Sequence, residues 1–208
     1  MPYHDSIDKV VMVYFASVCS RPFTYKGLRF EPAPLMVSPL LFRGYTCPPL
    51  CGGCCPRFTL DYLPSEAPPY PLTPREVEID DRKVLVFSDL QSDHGEHHCR
   101  NLDRSAGRCG IHGRHPFSCD FELIRFIVKR EQTVLVQKLF GRGWAMLRVD
   151  GQRGARCEML APDPHSVAET ARKLERLQRW AAHFGIETRL DAILSWIRQG
   201  PWDGPLYL

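Results

Sequence analysis

No stretch of this chain approaches the ~18 consecutive apolar residues that a membrane-spanning helix needs, so no membrane partner is expected. Charge of one sign is missing too. The 27 Lys and Arg against 24 Asp and Glu leave a net +3, too little to indicate nucleic acid from composition. The apolar run Val10-Val-Met-Val-Tyr-Phe-Ala-Ser-Val18 lacks the positive leading segment of a signal peptide, because Asp5 and Asp8 precede it with Lys9 as the cation. Val18 also stands where a lipoprotein needs a small residue before Cys19. No internal repeat is found. Pro22, Pro32, Pro34 and Pro39 divide the first 46 residues into segments in which no long helix fits. What these absences leave is a cytoplasmic globular protein, and a 44% hydrophobic content over 208 residues is ample for one buried core.

Cysteine, by contrast, is plentiful and clustered. Seven of the nine fall into two groups, Cys47, Cys51, Cys54 and Cys55, then Cys99, Cys109 and Cys119. A disulfide framework suits small secreted chains, whereas this chain is long enough to fold without staples and reducing conditions would keep its thiols free. The first group reads Cys47-Pro-Pro-Leu-Cys51-Gly-Gly-Cys54-Cys55, a segment too rich in Pro and Gly to be helical and suited to a loop folded around an ion. Soft thiolates at such spacing select zinc or an iron–sulfur cluster over magnesium or calcium. Cys47, Cys51 and Cys54 supply three corners of a cubane cluster with the second group closing the fourth, while zinc needs four of the seven. Adjacent thiols in extended backbone point to opposite sides, so Cys54 and Cys55 serve different centres or leave one spare. Cys157 would make eight thiols, enough for two four-coordinate sites.

Strands are expected over Lys9 to Val18, Thr24 to Phe30, Phe58 to Leu63, Val84 to Phe87, Glu122 to Val128, Thr133 to Phe140 and Trp144 to Val149. The last three suggest a hairpin or meander around Gly141-Arg-Gly143. Five prolines between Pro64 and Pro74 read as an extended surface connection. The stretch from His94 to Cys119 is rich in turn formers with little periodicity, as expected if metal holds it in place. Val167, Ala171, Leu174, Leu177, Ala181 and Phe184 predict an amphipathic helix over Ser166 to Phe184, with Ser166 as N-cap and Gly185 as its end. A second helix is expected over Thr188 to Arg198, stopped by Gly200-Pro201. Trp180 and Phe184 read as core.

The block C-x3-C-x2-C-C at Cys47 to Cys55, followed by Cys99-Arg-Asn-Leu-Asp103, Arg108-Cys109-Gly-Ile111 and Pro116-Phe-Ser-Cys119, resembles the YkgJ-like cysteine-cluster proteins, a family described as chelating zinc or iron. The resemblance covers roughly a third of the chain. His112 stands where that family has an aromatic, and His115 where it has an arginine. Flagellin lysine-N-methylases resemble the family as well and are associated with an iron–sulfur cluster. The resemblance implies a metal site at Cys47, Cys51, Cys54, Cys55, Cys99, Cys109 and Cys119, and it implies no particular reaction.

Around the second group, Arg100, Arg104, Arg108 and Arg114 outnumber Asp103. They are solvated loop charges, a counterweight to the negative thiolates, or a lure for an anionic partner such as a phosphate or nucleotide-like cofactor. No aromatic platform motif accompanies them, which weighs against nucleic acid. His94, His97 and His98 precede Cys99 and are either exposed loop residues or additional ligands. The Cys47 to Cys54 spacing is also that of radical S-adenosylmethionine enzymes, but the alternating strands and helices those enzymes need do not follow. His94-Gly-Glu96 has the His-x-Glu of zinc deaminases in the wrong chain order, and nothing singles out one thiol as a nucleophile.

The expected architecture is one α+β domain over 1–208. It has N-terminal strands over 1–46, an irregular cysteine module over 47–120, a small antiparallel hairpin or meander over 121–160 and a helical pair over 161–200. The expected function is an iron–sulfur protein acting in redox, cofactor activation or a modification such as methyl transfer. A zinc-stapled interaction module without catalysis is the alternative.

Overall fold

Ile7, Val10, Val11, Tyr14, Phe15 and Val18 recur at the spacing of one helical face, and all six are buried. They form one helical stretch in the computed structural model, which describes residues 6–46, 60–66, 71–89, 101–103, 105–106, 108–111, 116–120, 124–129, 132–137 and 158–208. The stretch comprises α1 (Ser6–Lys9), a π-helical segment (Val10–Phe15) and α2 (Ala16–Val18). The strand expected over Lys9 to Val18 is therefore corrected to helix. β-Branched residues lower helix propensity by only about a few tenths of a kcal/mol each. Burying a whole apolar face outweighs that penalty.

β1 (Phe23–Tyr25) and β2 (Leu28–Phe30) form a hairpin where one strand was expected, because Lys26 and Gly27 both take positive φ, 48° and 72°. A second hairpin joins β6 (Thr73–Ile79) and β7 (Arg82–Asp89) through Asp80 and Asp81, again both at positive φ. Thr24 N–H donates to Asp80 Oδ1 at 2.6 Å, tying the two hairpins together. β5 (Leu60–Tyr62) pairs with the far side of β7, giving an antiparallel five-stranded sheet in the order β2-β1-β6-β7-β5. The proline-rich connection is in part strand, since Pro74 lies within β6.

β3 (Leu35–Val37) sits inside a second sheet, whose other strands are β10 (Ile124–Lys129), β11 (Gln132–Gln137) and β13 (Leu206–Tyr207), in the order β10-β11-β3-β13. β10 and β11 form the expected antiparallel pair, but β11 runs parallel to β3, so this sheet is mixed. A 3₁₀ turn (Pro39–Phe42) leads into β4 (Arg43–Thr46), which pairs antiparallel with β12 (Glu158–Pro162). The strand expected over Trp144 to Val149 lies outside the described residues.

α4 (Pro164–His183) starts two residues earlier than expected. Its N-cap is Asp163, whose side chain accepts from Ser166 N–H at 2.7 Å while Ser166 Oγ accepts from Asp163 N–H at 3.0 Å. Ser166 is thus the third residue of a capping box, with Pro164 at the first helical position, where a missing N–H costs nothing. α4 ends before Gly185, at φ 68°. α5 (Leu190–Gln199) follows and buries Leu190, Ile193, Leu194 and Ile197.

One core joins the helical stretch 6–18, α4 and α5 to the inner faces of both larger sheets, through Phe23, Tyr25, Leu35, Val37, Val77 and Ile79. Trp180 and Phe184 are fully buried in it, as expected, and Phe15 packs on Phe184 with ring centroids 5.6 Å apart. The architecture is mixed α and β, with a five-stranded antiparallel sheet and C-terminal helices. Among the described residues, no helix is long and apolar enough to cross a membrane.

Candidate metal centre

Cys47, Cys51, Cys54, Cys55, Cys99 and Cys157 lie outside the described residues, as do Arg100, Arg104, Arg114, His94, His97, His98, His112 and His115. Arg108 and Cys109 are described through their backbone, and Cys119 through its side chain as well. Among the described residues, no group of three or more His, Cys, Asp or Glu is placed to hold a metal ion. The described parts show how the segments that carry Cys109 and Cys119, both of the second group, are anchored.

Cys109 stands in a tight hairpin. β8 (Leu102–Asp103) pairs with β9 (Arg108–Cys109), with Leu102 opposite Cys109 and Gly110 N–H donating to Asn101 C=O at 2.8 Å. The turn between them is closed by Asp103. Its Oδ1 accepts from Ser105 Oγ (2.6 Å), Ser105 N–H (2.9 Å) and Ala106 N–H (3.3 Å), a side-chain turn built from a short polar residue. The Ser105 hydroxyl first, then the two backbone N–H groups, hold the Asp103 carboxyl below its ordinary pKa.

Cys119 lies in α3 (Phe117–Asp120), a single helical turn in which Cys119 N–H donates to Pro116 C=O at 3.0 Å. Residues two apart on a helix point in nearly opposite directions, and the turn uses both. Phe117 is fully buried and stacks on Trp180 of α4, centroids 4.3 Å apart and planes at 17°. Cys119, which is half-buried, packs instead on the satellite cluster of Leu60 and Tyr62, with Leu72 and Phe87. Of the second cysteine group, Cys119 is thereby seated on β5. Leu60 follows Cys55 by five residues, a reach of at most about 18 Å of chain.

The far end of β5 is tied to the same helix. Glu66 Oε1 accepts from Arg176 Nε at 2.8 Å, from Arg176 Nη2 and from Trp180 Nε1 at 3.4 Å, while Glu66 Oε2 accepts from Leu63 N–H at 3.1 Å. One turn of α4 thus holds both α3 and the chain leaving β5. Between β5 and β7, Asp61 and Ser88 are paired in register and buried, and Ser88 Oγ donates to Asp61 Oδ1. Arg75 Nη1 lies 3.9 Å from the same carboxylate. Asp89, also buried, is the register partner of Leu60 and so shares the face on which Cys119 rests.

These supports were not among the expected site residues. Asp103, Phe117 and Pro116 lie inside the quoted motif, so their place near the cysteines was readable although their roles were not. Glu66, Arg176 and the carboxylates Asp61 and Asp89 carried no local signal beyond an acidic residue inside an apolar strand. The ninth cysteine, Cys19, is part of the main core, and burial pushes its thiol pKa up. No family model matches the chain, and no curated protein or solved structure matches it either.

Proposed function

We propose that this chain is a cysteine-cluster metal protein carrying an iron–sulfur cluster, with ligands drawn from Cys47, Cys51, Cys54, Cys55, Cys99, Cys109 and Cys119. The observation that supports the reading is the seat of Cys119 on Leu60 and Tyr62, residues of the strand that follows the first cysteine group in sequence. The resemblance of the two groups to the YkgJ-like proteins supports the same ligand set. A bound cluster would supply electron transfer or an open iron for an activating cofactor.

Within this reading the protein's own residues have separable tasks. Asp103 shapes the turn beside Cys109, and Phe117 fixes the helical turn that carries Cys119. Arg100, Arg108 and Arg114 offset the negative charge of the thiolates and offer guanidinium groups to an anionic ligand. A reducing compartment such as the cytoplasm keeps the ligands as thiolates.

Purification without air, followed by iron, zinc and acid-labile sulfide analysis, tests the proposal. A brown protein containing iron and sulfide and bleached by oxygen is the expected result. Zinc without sulfide would replace it with a zinc-stapled, non-catalytic interaction module, and no metal at all would end both readings. Cys51→Ser and Cys109→Ser should each lower bound metal; full metal content in both variants would remove them from the ligand set.

A further inference from the structure

α4 and α5 lie against each other in opposite directions, as the ion pair of Arg198 with Glu175 and the bond from Gln178 to Asp191 require. The last turn of α5 therefore reaches the first turns of α4. Between them is an open cleft of about 540 Å³, a volume suited to a small organic molecule. Val167, Ala168 and Ala171 of α4, Ile197 of α5 and Trp202 form its apolar wall. The Trp202 ring is held in two ways, packed on Phe42 with centroids 4.6 Å apart and donating through Nε1 to Trp196 C=O at 3.2 Å.

The cation of the lining, Arg198, is already paired with Glu175 at 3.0 Å. The charge that remains is negative. Asp163 lines the cleft, and the backbone N–H of Ser166 above all holds its carboxyl below the ordinary pKa, so it is ionised at neutral pH. Its unit charge outweighs the roughly half charge of the helix end it caps. A carboxylate accepts about four hydrogen bonds, so capping α4 leaves room for a further donor. On the opposite wall, α5 stops at Gly200-Pro201, and Pro201 has no N–H to return to the helix. Among the described residues, no donor reaches the carbonyls of Ile197, Arg198 and Gln199, which stand at the negative end of α5.

We propose that this cleft binds a small protonated organic amine, its apolar body against Val167, Ala171 and Ile197 and its ammonium among the Asp163 carboxylate, the carbonyl end of α5 and the face of Trp202. An ammonium brings donors alone, which is what these acceptors need, and a cation is drawn to an indole face. An anion would meet Asp163. The cleft shares no residue with the two cysteine groups, so the inference stands or falls apart from the metal-binding reading.

Benzylamine, a cation at neutral pH, is the probe, with benzyl alcohol and benzoate as its neutral and anionic counterparts. Titrated into the full-length protein, it should shift the indole N–H resonance of Trp202, identified by its loss in Trp202→Phe, with a dissociation constant of about 1 mM. The two counterparts should bind at least about tenfold more weakly, and Asp163→Asn should weaken benzylamine by about tenfold. Asparagine caps a helix as well as aspartate does, so that variant keeps α4. Should it unfold nonetheless, Ala168→Leu asks the same question from an exposed helical position, filling the cleft and abolishing the shift. Equal binding of the alcohol or of benzoate, unchanged affinity in Asp163→Asn, or a shift that persists in Ala168→Leu would overturn the proposal. So would the absence of a saturable shift below about 10 mM.

Discussion

Phe117 and Cys119 are two residues apart and answer to different parts of the molecule, one to the main core and one to the floor of the candidate site. Truncating Phe117 to Ala empties a fully buried aromatic position stacked on Trp180, and such deletions cost about 3–5 kcal/mol. Denaturant unfolding of Phe117→Ala should show a loss of that size together with altered tryptophan fluorescence; a loss below about 1 kcal/mol would mean the stack contributes little. Asp103 acts more locally. Its carboxyl pKa is lowered in the fold, so its contribution to the turn is present above the unfolded value and disappears as pH falls through the lower folded one. Amide exchange at Ser105 and Ala106 should accelerate in that acidic window. Asp103→Ala should weaken metal binding measured by competition with a chelator, while Asp103→Asn, whose amide oxygen still accepts, should retain most of it. Equal affinity for all three proteins would show that the turn does not position Cys109.

α4 is the element on which the described parts of the site depend, since Phe117 stacks on its Trp180 and Glu66 binds its Arg176. Replacing Glu66 by Gln leaves a largely buried guanidinium without its carboxylate, and a charged hydrogen bond of this kind contributes about 2 kcal/mol, reduced somewhat by the remaining exposure. Glu66→Gln should therefore lower the unfolding midpoint and increase proteolysis just beyond β5; an unchanged cleavage pattern would contradict the tie. The helix itself was legible in the sequence, because Val167 to Phe184 keeps one apolar face, whereas its first residue was misplaced. Ser, Asp and Pro all favour the start of a helix, and only the reciprocal bonds show that Asp163 rather than Ser166 is the cap. The helical stretch 6–18 was missed for a different reason. A continuous apolar run such as Val10 to Phe15 fits a buried strand as well as a buried helix, and the deciding residue, Ile7, lies outside the run.

At the scale of the whole chain, cysteine spacing pointed to a metal site, but local pattern could not reveal which elements carry it. The parallel pairing of β3 with β11, the return of β13 to β3 and the ladder from Thr46 to Glu158 are contacts between distant positions. Local sequence has no term for them. This division has a consequence for metal loss. Among the described residues, the main core is built chiefly from the helical stretch 6–18, α4, α5, β1, β3 and β6, and it includes Phe117 but no cysteine from the two groups. Among the described residues, the satellite cluster is far smaller, with Leu60 and Tyr62 as its buried members and Cys119 as a partly buried neighbour. On the proposed metal-binding reading, metal bonds help to order the turn-rich segments that carry the cysteines, while the main core does not depend on them. Chelation should therefore leave the helical far-UV signal and the buried-tryptophan emission largely intact. Over the same titration, the residues between β4 and β5 and those around Cys99 should become the first sites of proteolytic cleavage. If chelation instead abolished the helical signal in a single transition, the core and the cysteine groups would fold as one unit, and the metal would be a condition of the entire structure.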